Sequence, residues 1–170
     1  MNLEITETRD WHLAWNISQE PTIFDRITND SWGLCDIGTR ANHVRLTVEK
    51  ERNHTLLVTM REIIMGCFLL DEKEEGIYEV HTMLLPVCRG KLAIEAGKLA
   101  MAFAFKLSGV KKLVSYCPMN LPEIYLFARY CGFRKAGVAA IKWIKNGIEY
   151  PMRVVEATIN DLPKEEALCH

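Results

Sequence analysis

The 170 residues include 21 lysines and arginines and 22 aspartates and glutamates, and 49% of them are hydrophobic. Such a length and apolar content are typical of one globular domain, and a net charge of −1 gives no overall field that favours nucleic acid or an anionic membrane. No signal-peptide pattern opens the chain, no apolar run approaches the ~18 residues of a membrane span, and the six cysteines form no C-x-x-C pair, so a protein of a reducing, cytoplasmic compartment is predicted.

The N-terminal segment predicts one strand followed by two short helices. Apolar and polar residues alternate over 2–8, as in a half-buried strand, and Asp10 is placed to cap a helix over Trp11–Ser18. Pro21 interrupts that helix, and apolar residues at 23, 24 and 27 continue a helical stripe as far as Asn29. Turn-forming residues end the second helix there.

Three strands are predicted next, over 55–60, 63–70 and 77–85. The first two are joined by a tight turn at Arg61-Glu62, and the charged run 71–76 is interpreted as a solvated connection into the third. Consecutive short strands with such turns are typical of an antiparallel meander.

The third strand leads through a sharp turn into an amphipathic helix. Pro86, which has no N–H, closes the strand, and apolar residues at 92, 96, 99, 103 and 107 recur with helical spacing. The turn carries Arg89, Gly90 and Lys91, so two cations accompany the free N–H groups of a helix start, an arrangement that attracts phosphate. The alternative is an ordinary turn with solvated cations.

The remaining chain predicts a strand, a helix and a hairpin. A strand over 112–117 completes a strand–helix–strand crossover, which brings two parallel strands together. Pro122 and Gly132 bound a helix, and Asn146-Gly147 marks a type I′ hairpin within 138–158. The sequence thus predicts a single domain over 1–160 and a loose, charged tail over 161–170.

Two of these segments resemble a known family. The strand that ends in proline before Arg89-Gly90-Lys91, with its long helix, resembles the coenzyme A pyrophosphate loop of the GNAT superfamily of acetyltransferases, although Leu92 and Ile94 stand where that family has small residues. Asn120 and Gly132-Phe133 resemble the family's later motif. With its Arg-Gly motif before the helix and its later Cys-Gly-Phe motif, the chain also resembles, loosely, GNAT-like proteins encoded in phage genomes.

The order of elements, β, αα, βββ, α, β, α, ββ, agrees with the GNAT fold over residues 3–159. The resemblance implies an α/β (α+β) fold with a mixed, mostly antiparallel sheet of about seven strands and about four flanking helices. It also implies acetyl-CoA (coenzyme A) as the cofactor, with the pantetheine arm added to a sheet edge like an extra strand. The cofactor-binding residues that it implies are Met83, Leu84, Leu85, Arg89, Gly90, Lys91, Leu92, Ala93 and Asn120.

Glu79 and His81 are the candidate bases. They lie two residues apart on one strand and so share a face, where either could take a proton from an amine, directly or through a water. The family often has a carboxylate on this strand, which favours Glu79 as the base. The alternative is that neither residue acts as a base, Glu79 being a surface charge and His81 a structural histidine. The tyrosine that often acts as the general acid in this family is replaced by Ala128 here. The flanking Tyr125 and Tyr130 are therefore the candidate general acids; the alternative is that both only pack against their neighbours.

For the acceptor, the resemblance implies a wall formed by the early helices, and Trp32 and Asp36 lie just beyond them as candidate substrate-binding residues. Simple packing against the sheet is the alternative for Trp32. No histidine or cysteine spacing typical of zinc occurs, nor G-x-S-x-G, so neither a metal site nor a serine hydrolase is predicted.

The predicted function is acyl-CoA-dependent transfer of an acetyl group to a primary amine of a small molecule or protein. Neither nucleic acid nor membrane is expected as a partner, and the chain could form a homodimer. Because Leu92, Ile94 and Ala128 depart from the family pattern, an inactive GNAT-shaped interaction or assembly protein, or a sensor that holds coenzyme A, is the alternative.

Overall fold

The computed structural model describes residues 2–162, so the tail predicted over 161–170 lies outside the described residues from residue 163 onward. Seven strands form one sheet. They are β1 (Leu3–Thr8), β2 (His54–Met60), β3 (Ile63–Glu74), β4 (Ile77–Leu84), β5 (Lys112–Pro118), β6 (Arg134–Lys145) and β7 (Ile148–Ala157). Their spatial order is β1-β2-β3-β4-β5-β7-β6, which confirms the predicted sheet of about seven strands.

Helices pack against both faces of this sheet. They are α1 (Trp11–Ser18), α2 (Pro21–Ile27), α3 (Asp30–Leu34), α4 (Ile37–Glu49), α5 (Lys91–Ala104) and α6 (Pro122–Cys131). The prediction of about four helices is therefore too low, since residues 2–162 contain six α-helices. Within this part of the chain, no helix has the length and apolar character needed to cross a membrane.

The sequence gives little sign of α3 and α4. Helix α4 begins after Asp36, whose carboxylate accepts a hydrogen bond from the Thr39 N–H at 2.9 Å. Along α4, Val48 is buried and Val44 packs against the same cluster, whereas most other side chains face solvent. So narrow an apolar stripe produces almost no helical periodicity in the sequence.

The tight turns lie where the sequence predicts them. Arg61 and Glu62 have φ of 51° and 66°, and Asn146 and Gly147 have φ of 54° and 73°, as in type I′ hairpins. Gly132 ends α6 in the left-handed region with φ 109°. These positions confirm the predicted ends of the elements around them.

One predicted connection is wrong in part: the charged run 71–76 belongs mostly to β3, which continues to Glu74. Its charges are tolerated there because they have partners. The Asp71 carboxylate accepts hydrogen bonds from Asn53 Nδ2 at 2.9 Å and from Lys73 Nζ at 2.6 Å. The turn is therefore confined to 75–76.

Helix α5 buries the predicted stripe only in part. Its innermost residues are small, with Ala96, Gly97 and Ala100 buried, while Leu99 from the predicted stripe is 38% exposed. A Cβ added at Gly97 would lie 2.3 Å from Cys131 Sγ of α6. The small residues therefore let α5 lie close to both the sheet and α6.

Strands β4 and β5 separate along their length. They pair in parallel, as the crossover predicts, but only between residues 77–79 and 112–114, while all other strand pairs are antiparallel. Beyond Glu79, β4 keeps its partner β3 on one side, and no strand within residues 2–162 pairs with its other side. The sheet thus has a gap near its centre.

Candidate functional site

A cavity of about 550 Å³ passes through the gap between β4 and β5. On the face of the sheet covered by α5 and α6, its walls include Thr82, Gly97 and Phe127. On the face covered by α1–α4, they include Glu79 and His81. Two ligands could therefore meet at the gap from opposite faces of the sheet.

The first end of the cavity is the start of α5. Gly90, at φ 60° and ψ −129°, precedes the helix in a conformation that favours glycine, and no described side chain caps the helix there. The first intrahelical bond is donated by the Ile94 N–H to the Gly90 carbonyl at 3.2 Å, which leaves the N–H groups of residues 91–93 without an intrahelical acceptor. Such a helix start favours an anion.

Of the two predicted cations, Arg89 lines the cavity and Lys91 does not. The Arg89 guanidinium donates one long hydrogen bond, 3.3 Å, to the Thr22 hydroxyl, and its side chain is exposed. It therefore remains free to contact an anion at the start of α5, and Lys91 lies exposed at the first position of that helix.

The predicted strand segment Met83, Leu84 and Leu85 lies beside the gap. Met83 and Leu84 are buried and pair with β3, and the Leu85 N–H donates to the Met65 carbonyl at 2.9 Å. Leu84 lines the cavity; the other two do not. Because β5 diverges from β4 beyond Glu79, the edge of β4 that faces the gap can pair with an added extended chain.

The remaining predicted cofactor residues divide into two groups. Ala93 lines the cavity, and so does Ile94, which is not among the predicted cofactor residues but stands where the family has a small one. Leu92 instead packs partly buried against the core. Asn120 is exposed in the turn before α6 and is not among the lining residues.

Glu79 and His81 form a charged cluster with Lys73. Glu79 Oε1 lies 3.7 Å from His81 Nε2, and Glu79 Oε2 lies 3.0 Å from Lys73 Nζ. The His81 side chain is 42% exposed, and its partial burial lowers the pKa of the imidazole; Lys73 lowers this pKa further, while Glu79 opposes the shift. His81 is therefore neutral at pH 7 and able to accept a proton.

The tyrosines are placed differently from one another. Tyr130 is 62% exposed at the rim of the cavity, whereas the ring of Tyr125 lies under the Arg153 guanidinium at 4.8 Å and is not part of the lining. The sequence reasoning missed Tyr116 of β5, which lines the cavity. Its neighbour Ser115 lines the cavity as well and donates a hydrogen bond to the Val80 carbonyl across the gap, and no motif in the sequence marks either residue.

Trp32 and Asp36, the predicted acceptor residues, lie outside the cavity lining. The Trp32 ring packs edge-on against His43 with centroids 4.8 Å apart. Asp36 caps α4, and hydrogen bonds from the Thr39 hydroxyl and N–H lower its pKa. The wall on this face is formed instead by residues that the sequence did not single out, namely Ile23, Arg26, Ile27, Trp143 and Met152.

The hairpin of β6 and β7 holds α2 over the cavity. Lys145 Nζ donates to the carbonyls of Asp25 at 2.9 Å and Thr28 at 3.1 Å, at the C-terminal end of α2. At the hairpin tip, the Asp30 carboxylate accepts the N–H groups of Asn146 at 2.8 Å and Gly147 at 2.7 Å, and these two bonds lower its pKa. The position of α2 is thus fixed at its C-terminal end.

Three solved structures that share this fold are acetyltransferases by name. A chimera of the spermidine N-acetyltransferase SpeG from Vibrio cholerae and hSSAT is 14% identical, with a TM-score of 0.76 over 96% of this chain and 100% of the other. Spermidine N-acetyltransferase from Vibrio cholerae, in complex with CoA and spermine, is 14% identical, with a TM-score of 0.73 over 95% and 96% of the two chains. The microcin C7 self-immunity acetyltransferase MccE, with acetyl-CoA and AMP, is 17% identical, with a TM-score of 0.68 over 92% and 93%.

These likenesses confirm the predicted GNAT fold across nearly the whole chain. Comparison with curated proteins gives no match. A family model described as a protein of unknown function, DUF2824, matches residues 46–167, a region that begins in α4 and includes β2 to β7. The chain therefore belongs to the DUF2824 family.

Proposed function

We propose that this protein transfers the acetyl group of acetyl-CoA to a primary amine. The observation that carries the proposal is the cavity through the sheet, with an uncapped helix start at one end and the Glu79–His81 pair on the other face. Support also comes from the solved structures of this fold, whose names include complexes with CoA and with acetyl-CoA.

The residues around the first half of the cavity fit coenzyme A. The N–H groups of residues 91–93 and the Arg89 guanidinium would hold the diphosphate, and nothing lies within 4 Å of a Cβ built at Gly90, so the approach to them is open. The edge of β4 from Val80, whose carbonyl already accepts a hydrogen bond from Ser115, to Leu84 would hold the pantetheine arm. When bound, acetyl-CoA supplies an acetyl thioester: attack by a neutral amine would form the amide C–N bond and break the thioester C–S bond, and coenzyme A would leave as the thiolate and take up a proton.

The residues on the other face would make the amine neutral. An alkyl amine with a pKa of ~10.4 is deprotonated to about one part in a few thousand at pH 7, a deficit of roughly 4–5 kcal/mol. His81 would accept the proton, because its imidazole is neutral and lines the cavity. Glu79, held by Lys73 at 3.0 Å, would stabilise the imidazolium from 3.7 Å away.

The proposal is favoured over a non-catalytic interaction protein of the same fold. A cleft plugged by Leu92, Ile94 or a neighbouring chain would favour that alternative. Leu92 packs into the core, Ile94 is part of the wall, and about 550 Å³ of space remains beside them. An open cavity of this size is typical of a small-molecule site.

Calorimetry with acetyl-CoA tests the proposal directly. We expect saturable binding to the full chain, and Arg89→Ala should weaken it by about 1–3 kcal/mol through the loss of a charge-assisted contact to phosphate. Arg45→Ala is the matched control, because Arg45 lies on α4 outside the cavity lining and bonds only to Asn42 among the described side chains. No binding at millimolar acetyl-CoA by a folded sample would overturn the proposal, and equal affinities for the two variants would remove Arg89 from the site.

A further inference from the structure

The half of the cavity beneath α2 is mainly apolar. Its walls are formed by Ile23 and Ile27 of α2, Tyr116 of β5, Trp143 of β6 and Met152 of β7. Apart from the Tyr116 hydroxyl, these side chains offer an ammonium group no strong hydrogen-bond acceptor. The ring faces of Tyr116 and Trp143 return a cation–π attraction, but this replaces only a small part of the hydration that a charged group loses against the wall, so the charge is disfavoured.

The carboxylates around the cavity are already paired. Among the lining residues within 2–162, Glu79 and Glu123 are the two carboxylates. Glu79 lies 3.0 Å from Lys73 Nζ, and Glu123 Oε1 lies 3.5 Å from Arg26 Nη1. Arg26 also brings a permanent positive charge to this half of the lining. A second ammonium group on a ligand would therefore meet the Arg26 guanidinium and carboxylates that already have a cationic partner.

From this arrangement we infer that the acceptor is a monoamine with an apolar body, and that polyamines are poor acceptors. The inference rests on the proposed amine acetylation and narrows its substrate class. The single amine would be received beside Glu79 and His81, and the apolar remainder would lie against the Ile27 and Trp143 wall. A diamine of the same length would place its second charge against that wall, which Arg26 also lines.

Pentylamine and 1,4-diaminobutane test this inference, because they have the same number of heavy atoms and differ at one end, methyl against ammonium. Binding of each to the full chain is measured by calorimetry, with and without saturating CoA, so the result does not depend on turnover. We expect pentylamine to bind at least about tenfold more tightly. Equal or tighter binding of 1,4-diaminobutane overturns the inference, and so does failure of both amines to bind.

The two proposals fail in different ways in this experiment. Absence of CoA binding contradicts the proposed acetyl transfer. The affinity ratio of the two amines, measured without CoA, still decides the acceptor class.

A variant of the Arg26–Glu123 pair tests the charge argument itself. Arg26→Met removes one positive charge and releases Glu123, so 1,4-diaminobutane should gain roughly threefold to fivefold in affinity relative to pentylamine. Arg45→Met, on an exposed part of α4 outside the cavity lining, is expected to leave the ratio unchanged. An unchanged ratio in Arg26→Met would contradict the role of the pair.

Discussion

His81→Ala is expected to lower the turnover of amine acetylation by about 10²-fold and to leave acetyl-CoA affinity unchanged. The imidazole lines the face of the cavity opposite the helix start of α5, so its loss removes the proton acceptor without touching the diphosphate site. Glu79→Gln should cost less, about tenfold, because it removes only the charge that stabilises the imidazolium. Steady-state kinetics and calorimetry of the same preparations measure both effects.

The pH dependence separates this assignment from its alternatives. A base must be deprotonated to act, so the rate rises with pH through the pKa of His81 and is level above it. Desolvation places that pKa below its ordinary value, and the rising limb should lie below about pH 6.5. Since Glu79 raises this pKa and Lys73 lowers it, Glu79→Gln should move the limb to lower pH and Lys73→Met to higher pH.

If the rising limb moves to lower pH in Glu79→Gln and to higher pH in Lys73→Met, a titrating group other than His81 would be hard to reconcile with the result. If the single variants and the double variant of Glu79 and His81 keep the wild-type rate and profile, neither residue is the base. The amine must then lose its proton to solvent or to another group on the α2 side.

Gly66→Ala is expected to lower the free energy of unfolding by about 3 kcal/mol or more. Gly66 has φ 139°, where a side chain is strained, and a Cβ there would lie 2.3 Å from the Met83 carbonyl and 2.7 Å from the Leu84 Cα. Both contacts are to backbone at the end of β4, so no side-chain rotation relieves them.

Gly33→Ala is the matched control for this substitution. Gly33 lies in α3, has nothing within 4 Å of an added Cβ and has no positive φ, so alanine there should be neutral or slightly stabilising. Urea unfolding of the two variants and the wild type gives the comparison. A Gly66→Ala protein as stable as Gly33→Ala would mean that β3 and β4 can move apart at low cost.

The sequence predicts best what depends on neighbours in the chain. Asn146-Gly147 and Gly132 require positive φ, and the cap at Asp10 is a local contact, so their positions follow from residue type. Helix α4 was missed because Val44 and Val48 form too narrow a stripe to produce a period. The charged end of β3 was misassigned because its partner Asn53 is 18 residues away from Asp71.

The candidate site was predicted only where it lies on one segment. Glu79 and His81 share a strand, and Arg89 and Gly90 share a turn, so spacing alone brings each pair together. Arg26 and Trp143 reach the same cavity from distant parts of the chain through the packing of α2 and the hairpin against the gap. No local pattern carries that information.

Because the cavity passes through the sheet, it has consequences for the kinetics. Exposed residues stand at both ends, Gly90 on one side and Arg26 on the other, so two ligands can enter by separate routes and neither blocks the other. Acetyl-CoA and the amine then need not bind in a fixed order. Initial-rate plots in which acetyl-CoA and amine are varied together should intersect rather than run parallel, as they do when both substrates are held at once and no covalent enzyme form lies between them.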